Sequence, residues 1–525
     1  MSNDPYRGSS QNRKRQSGSS RSSSGSGSRS SGSGSRSSQY YGSSAKSTKK
    51  VSAKKKKARR RKKIIRLIVM LALLAALIAL AIALVSFIVK SVFGGKSSGD
   101  AAVETEEAVT EVYVGLNNVD YTAQITQYFT YGTSLCIDGT LDLSEIETDE
   151  AELSELYLVL RKSWQEEDDL ITNNVYSFEL DYTIVDTELT FTCYTYINDG
   201  IYLEDIDEGS YTMLIRAVLS DESVAYFTFT NASGETDDIC YYTITDVSEG
   251  TNNRIDVSFE TYGGTSYMAM VVEQDELPDD VYDIVIDAGH GGIDSGATNG
   301  EYYESELMLE YALAISEALE DAGFKVLLTR DGTEDENENT AYSMYDEDGR
   351  VNVTAGSGAK YCLSLHLNSN SEYVTTGGIQ CYISCRASET FASLLVDTIV
   401  EYTGTNYSSM SSYQVTSGVY SRAYTESEIE DSAWEMEYYG MEAYDITTDT
   451  DYYYMIRETG GIATNAYVDG RSTDYGTNLY MDSVQGVETY LMELGFITVD
   501  SDLYSILYSQ DEYVQAIVDS FLSLQ

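Results

Sequence analysis

One stretch of the chain, Leu67 to Val89, consists of Leu, Ile, Ala, Val, Met and Phe, with Ser86 its sole polar residue. A run of 23 residues makes a helix roughly 34 Å long, enough to cross the hydrocarbon core of a bilayer. A cleaved signal peptide is the competing reading, but its apolar part is usually about 7 to 15 residues, followed closely by a small-residue cleavage site. Here Lys90, Phe93 and Lys96 follow instead. The run therefore reads as an uncleaved single-pass anchor over 64–90, and whatever precedes it lies on the other side of the membrane from whatever follows.

The charges divide at the same place. Of 34 Lys and Arg, 22 fall at or before Lys96, leaving 12 against 84 of the 85 acidic residues, a net charge of −72 for the remainder. Residues 1–63 are Ser, Gly, Arg and Lys with almost nothing apolar, so they cannot bury a core and are expected to be disordered. Their basic end, Lys54 to Lys57 and Arg59 to Lys63, fits the cytoplasmic side of a membrane, against anionic lipid. The acidic remainder would be repelled by nucleic acid, which is bound chiefly through Lys and Arg, so no nucleic-acid partner is expected. The six cysteines lack metal-binding spacing and are too sparse for a disulfide scaffold, which leaves buried thiols as the default. Cys381 and Cys385 lie four apart in an expected strand, about 13 Å if extended, too far to bridge.

After a linker at 91–110, residues 111–275 alternate apolar with polar, as in Leu156-Tyr-Leu-Val-Leu-Arg161, Ser177-Phe-Glu-Leu-Asp-Tyr182 and Ser210-Tyr-Thr-Met-Leu-Ile-Arg216. A period of two means strands. Turn clusters such as Asn198-Asp-Gly200 and Ser233-Gly-Glu235 part them, which predicts an antiparallel, immunoglobulin-like β-sandwich. No catalytic constellation appears there. A wall-binding module and an inert spacer are both compatible with it.

From Tyr282 the rhythm changes. Ile284-Val-Ile286, a helix over Glu304 to Ala322 and Phe324-Lys-Val-Leu-Leu328 follow βαβ logic, so 281–525 is expected to be an α/β domain with a twisted, mostly parallel sheet and flanking helices. In that helix Leu307, Tyr311, Ala314, Ile315, Ala318, Leu319 and Ala322 share a face, and Gly323 supplies the stop. A closing helix is expected near Glu512 to Leu522.

The whole protein has two histidines, each directly after a buried-strand pattern: Ile284-Val-Ile-Asp-Ala-Gly-His290 and Tyr361-Cys-Leu-Ser-Leu-His366. In an open parallel sheet ligands bind beyond the carboxyl ends of strands. Two strand-end imidazoles converging there, with a carboxylate and water, would make a zinc site. Glu304 opens the following helix on its buried face, although a glutamate in a first turn also serves the helix dipole, and Glu301 and Glu306 compete for the role. Glu493, inside the apolar segment Thr489-Tyr-Leu-Met-Glu-Leu-Gly-Phe496, is a carboxylate that needs a nearby cation or partner. It fits a catalytic base.

These segments resemble the zinc-dependent N-acetylmuramoyl-L-alanine amidases found as catalytic domains of bacterial cell-wall hydrolases. The resemblance runs from about Asp283 to the C-terminus. It rests on Ile286-Asp-Ala-Gly-His-Gly-Gly-Ile-Asp-Ser-Gly-Ala297, Glu304 with its helix, Leu328-Thr-Arg330, Arg350-Val-Asn352, Ser364-Leu-His-Leu-Asn368, Gly377-Gly-Ile379 and Met492-Glu-Leu-Gly-Phe496. It implies His290, Glu304 and His366 as ligands of Zn2+, Glu493 as the catalytic carboxylate, and Asn368 as a substrate-orienting group or a strand cap. The implied substrate is peptidoglycan, cut at the amide between N-acetylmuramic acid and L-alanine by a zinc-activated water. The expected location is a membrane with the catalytic domain facing the wall. A protein activator is compatible with this reading, its identity unknown.

Two departures stand out. Ala288 occupies a position where the family commonly has proline, which loosens a turn and removes no ligand. The acidic, Tyr-rich stretch Gly404 to Tyr453 is longer than a minimal enzyme needs, and regulated relatives carry an inhibitory helix in that interval. Glu426 to Tyr439 is helix-compatible and offers Glu428, Glu430, Glu435 and Glu437 as plugs for an open zinc position; a solvated surface insertion is the alternative. The rival functions are a degenerate amidase domain that only binds wall or partner, and a zinc peptidase acting within the stem peptide.

Overall fold

In the computed structural model the described residues are 119, 121–146, 151–162, 174–198, 200–231, 238–262, 264–333, 349–370, 376–440, 446–464 and 485–525. They fall within one compact unit, Val109–Gln525. The basic tail, the apolar run 67–89 and the linker that follows lie outside the described residues. Among the described residues no helix is long and apolar enough to cross a membrane.

The amino-terminal half of this unit is β-rich, as its period-two pattern predicts. Leu153–Lys162 and Gly209–Leu219 pair antiparallel and contain two of the segments quoted above. The third changes partners. Asn174–Glu179 pairs with Leu153–Lys162; after the buried Leu180, Asp181–Val185 pairs with Glu188–Cys193 instead. Both pairings belong to one continuous hydrogen-bonded sheet, so the expectation of two separate sheets is corrected to a single sheet around a shared apolar core.

Purely antiparallel pairing is corrected along one edge of the first strand, where two segments lie parallel to it. Tyr121–Tyr131 runs parallel to Val224–Asn231, with Tyr121 opposite Phe227 and Ile125 opposite Asn231. The first strand has its antiparallel neighbour, Ser134–Asp142, on its other edge, and the parallel partner satisfies the edge left open. The expected turn at Asn198 follows a helical turn, Thr195–Asn198; Ser233-Gly-Glu235 lies outside the described residues.

The carboxyl-terminal half is the α/β part. Its strands are β1 (Ile284–Ala288), β2 (Val326–Leu328), β3 (Tyr361–Asn368), β4 (Gln380–Ile383), β5 (Gln414–Thr416), β6 (Val419–Ser421) and β7 (Glu488–Phe496). They lie in the order β2-β1-β3-β7-β4-β6-β5. The four from β2 to β7 are parallel, but β4 runs antiparallel to β7 and β5 to β6, so the sheet is mixed.

Helices cover both faces: α1 (Glu304–Ala322), α2 (Arg350–Ala355), α3 (Thr390–Thr403), α4 (Glu426–Tyr439), α5 (Tyr454–Thr459), α6 (Asp500–Tyr508) and α7 (Gln510–Leu522). Met308, Ile315, Leu395 and Ile517 pack on the face formed by Ile284, Ile286, Leu363, Leu365 and Met492. Val351 and Met455 pack on the opposite face, against Val285 and Cys362. In α1 the apolar face is centred slightly differently from the expectation: Met308, Ala312 and Ser316 are buried, whereas Ala314, Ala318 and Ala322 are half-buried. Gly323 ends the helix at φ 109°. No disulfide joins any of the six cysteines, all of which are described.

The two halves share a core. Phe129, Tyr131, Cys136, Tyr194 and Ile244 belong to the same cluster as Tyr361, Leu363, Phe391 and Tyr490. Polar contacts join them at the amino ends of the parallel strands: the Thr245 N–H and hydroxyl donate to Asp283, at 2.9 and 2.8 Å. Thr133 Oγ1 meets the Tyr361 hydroxyl at 3.2 Å. The β-rich half thereby covers the floor of the parallel strands and leaves their carboxyl ends open for a site.

Candidate metal centre

At those carboxyl ends the chain leaves β1 through Gly289 and turns at His290, whose φ of 61° is positive for a non-glycine residue. A backbone in this sparsely populated region costs free energy and persists where the surroundings over-determine it. Here the ring is held from both sides. His290 Nδ1 lies 2.8 Å from Asp294 Oδ2, and Nε2 lies 3.2 Å from Glu304 Oε1. The carboxylate of Asp294 accepts from Nδ1, which turns Nε2 toward the centre.

Glu304 is the first residue of α1 and only 3 % exposed, with Tyr303 as an N-cap that makes no side-chain bond. Its carboxylate takes two backbone donors, Leu367 N to Oε1 at 2.9 Å and Ala297 N to Oε2 at 2.7 Å. His366, two residues before the end of β3 and opposite Glu493, directs Nδ1 at Glu304 Oε1 over 3.1 Å. The imidazole rings stand edge to face with centroids 5.0 Å apart. Gly296 admits this crowding: a Cβ there would fall 2.6 Å from Glu304 Oε2 and 2.7 Å from His290 Cδ2.

One nitrogen from each histidine and one oxygen of Glu304 lie within 4.8 Å of one another, all buried. Of the three candidate glutamates Glu304 is the one brought to the histidines, whereas Glu301 and Glu306 are exposed. Two imidazoles and a carboxylate are the donor set of a three-ligand zinc site with an open fourth position. The residues fit the ion on chemistry and on convergence.

Glu493 stands beside them. It pairs across β7 with His366 on one side and Gln380 on the other. It is 7 % exposed, and its Oε2 makes no hydrogen bond among the described residues. Burial, then the charge on Glu304, pushes its carboxyl well above the usual range, opposed by His290. Burial alone would lower His290, but the hydrogen bonds and charges of Asp294 and Glu304 raise it to about 9. His366 is lowered, by burial first. Glu304 is held well below the usual carboxylate range, since the two histidines outweigh its burial. An anion clamped between two imidazoles and an acid with an unused oxygen thus face one point.

Asn368 ends β3 and donates through Nδ2 to Gln380 Oε1 at 2.7 Å, so one of its donors is committed to the scaffold. Five contributors carry no assigned role in the sequence: Asp294, Thr329, Arg330, Arg350 and Ser364. Asp294 stood inside the quoted Gly-His-Gly-Gly-Ile-Asp run, and its spacing of four from His290 was the available signal. Arg350 and Ser364 also stood in quoted motifs: with Thr329 they donate to the buried Asp287, at 3.2, 2.7 and 2.6 Å, and fix the strand before His290. Arg330 ties Ala288 O and Ser305 O, bracing the two segments that deliver His290 and Glu304.

Residues 426–439 form the expected helix, α4. None of Glu428, Glu430 and Glu437 joins the metal-type cluster. Glu428 instead accepts from Arg422 at 2.6 Å and caps the helix through Thr425. The helix is mostly exposed, and its amino end is tied through Arg422 to Tyr452 and Tyr453, the latter close enough to Glu493 to feel its charge; the Glu435 side chain lies outside the described ones.

Residues 284–522 match the family described as N-acetylmuramoyl-L-alanine amidase. Two similar proteins come from Bacillus subtilis (strain 168). The germination-specific N-acetylmuramoyl-L-alanine amidase is 35% identical over 91 residues, 16% of this chain and 38% of that protein. The sporulation-specific N-acetylmuramoyl-L-alanine amidase is 41% identical over 88 residues, 16% of this chain and 31% of that protein. The match thus spans about a third of each relative's length. Among solved structures, N-acetylmuramoyl-L-alanine amidase AmiC2 of Nostoc punctiforme aligns at 18% identity and a TM-score of 0.30, covering 47% of this chain and 98% of that one. The CwlD amidase of Clostridioides difficile, solved with the GerS lipoprotein, aligns at 21% identity and a TM-score of 0.27, covering 46% and 100%. Scores this low carry no weight for fold or function.

Proposed function

We propose that the domain at 284–522, of the N-acetylmuramoyl-L-alanine amidase family, is an active zinc hydrolase that cleaves the amide between N-acetylmuramic acid and the L-alanine of the stem peptide. One observation carries this reading: the buried His290, Glu304 and His366 donors converge within 4.8 Å while the unpaired oxygen of Glu493 stands one strand away. A degenerate wall-binding domain has no use for a buried acid without a partner, which costs stability and returns nothing to the fold.

His290 through Nε2, His366 through Nδ1 and Glu304 would hold the ion. When bound, zinc supplies Lewis acidity that polarises a carbonyl and lowers the pKa of water. Asp294 keeps the His290 proton on Nδ1, so that Nε2 stays a donor. The main-chain N–H groups of Ala297 and Leu367 orient Glu304. Glu493 accepts a proton from water through its free oxygen and returns it to the departing alanine amine, a role suited to an acid whose pKa is raised. Asn368 keeps one Nδ2 hydrogen for substrate once Gln380 has taken the other.

The apolar run 67–89 and the charge divide support an anchored chain with its acidic part facing the wall, and the boundaries 1–63, 64–90, 91–110, 111–275 and 281–525 belong to the same proposal. The decisive experiment is metal analysis with digestion of purified cell wall, wild type beside Glu493→Ala. Stem peptides with a free L-alanine amino terminus should be released, and release should stop on chelation and return with zinc. Cleavage inside the stem peptide, seen by mass spectrometry of the fragments, would replace the amidase reading by a peptidase.

A further inference from the structure

Residues 485–496 run from one half of the protein into the other. Gln485–Gly486 pairs in parallel with the first strand of the β-rich half, Thr130 opposite Gln485 and Tyr131 opposite Gly486. Gly132 N donates to Gly486 O at 3.0 Å, and Gln485 Nε2 donates to Cys240 O at 2.7 Å. After the single residue Val487, the same chain enters β7 at Glu488 and reaches Glu493 five residues later. From Gly486 to Glu493 is seven residues, about 23 Å of strand.

The crossing is closely fitted. Val487 N donates to Thr459 O at 3.0 Å and Glu488 N to Lys360 O at 2.9 Å, so neither residue is slack. Gly132 turns at φ 57°, and a Cβ there would fall 2.5 Å from Glu488 Oε2. Tyr131, Tyr361 and Tyr490 pack in one cluster around this point.

We infer that the β-rich half is a positioning element for Glu493: its strand pairing at Thr130 to Gly132 fixes the start of the strand that ends in the catalytic carboxylate. This rests on the amidase reading for its catalytic consequence. On it, the β-rich half belongs to the hydrolytic unit, and a detachable spacer is the wrong description. Proton transfer depends on sub-ångström placement, so loosening the seam acts on turnover while leaving the zinc ligands, carried by β1, α1 and β3, in place.

The test uses the full chain with Gly132→Ala, Gln485→Ala and, as a distant control, Val185→Ala on an exposed edge strand. Wall digestion, zinc content and hydrogen exchange are measured together. Both seam variants should lose about tenfold or more in kcat at unchanged KM and zinc content. Amide protection should fall at 490–493 and hold at 284–288, with the control unchanged in all three. Gln485→Ala removes the side-chain bond to Cys240 O without adding bulk and carries the test should Gly132→Ala fail to fold. Uniform loss of protection across both strands, or none at 490–493, would overturn the inference and leave a packing surface. A wild type inert toward wall would sink the amidase reading instead, with the exchange pattern still deciding the seam.

Discussion

The two ends of one parallel sheet are built to opposite rules. At the carboxyl ends of β1, β3 and β7 stand a histidine at positive φ, a carboxylate between two imidazoles and an acid with an unpaired oxygen. At the amino ends, roughly 17 Å away along β1, Asp283, Tyr361 and Glu488 find donors or acceptors and are roofed by the β-rich half. Both ends hold orphaned atoms: at the roofed end the Tyr131 hydroxyl and Lys360 Nζ are buried without a hydrogen bond among the described residues. What sets the open end apart is a metal-type cluster with a buried acid beside it, so chemistry is expected there, whereas the roofed end, more nearly satisfied by the second half, serves stability.

Removing the unpaired acid tests that contrast most severely. Glu493→Gln should lower kcat by about a thousandfold, the range of a lost general base, while zinc content stays at wild-type level. Unfolding stability of the metal-free protein should not fall, because burial already favours the neutral carboxyl and the amide keeps its shape. A variant that is both inactive and less stable would mean that Glu493 is a structural acid.

Much of the open end was legible in sequence because it is made by local rules. His290 and His366 each follow a strand pattern, and the α1 bounds follow from an amphipathic face and a glycine stop, so both ligands and the helix carrying Glu304 could be placed. The satisfied end was not legible. Thr245 meeting Asp283, or Gln485 entering a sheet that begins at residue 121, are pairings across tens to hundreds of residues with no periodic signature. The parallel pairing of Tyr121–Tyr131 with Val224–Asn231 and the antiparallel β4 were hidden for the same reason, since alternation shows that a strand exists and not which neighbour it takes. Asp294 was visible but unassigned: an acid four residues after a histidine acquires meaning only once the αL turn brings it to Nδ1.

The satisfied end should reveal itself in pH dependence. Burial pushes the Glu488 carboxyl up to about 7, with the Tyr490 hydroxyl only partly offsetting it. A carboxyl whose pKa is higher in the folded chain stabilises it fully below the unfolded value near 4.5, and that contribution is lost as pH rises through about 7. The difference is worth about 3 kcal/mol. Denaturant unfolding at intervals from pH 4.5 to 8, compared with Glu488→Gln, should show wild type losing stability more steeply. Parallel curves would put Glu488 in contact with water. At the open end Asp294→Asn is the next smaller perturbation: zinc affinity should fall roughly 10- to 100-fold, read by competition with a chelating dye, while unfolding of the metal-free protein changes little.

The smallest effect asks whether the two ends are independent. Thr133→Val removes the hydroxyl that meets Tyr361 at 3.2 Å in the roofed junction, both residues being buried. The loss should be about 1 kcal/mol of unfolding free energy, and zinc affinity should not move. Combined with Asp294→Asn, the two changes should add to within about 0.5 kcal/mol, as distant sites without shared partners do. Asp294 acts on the turn after β1 and Thr133 on the start of β3, where Tyr361 pairs with Glu488, so the seam at 485–496 is one route by which the two could couple. A larger interaction term would mean that the ends communicate through these strands, and the division between an open end and a closed stabilising end would have to be abandoned. Additivity here, together with selective loss of protection at 490–493 in the seam variants, would limit the influence of the roofed end to the placement of Glu493 and leave the turn that carries His290 outside it.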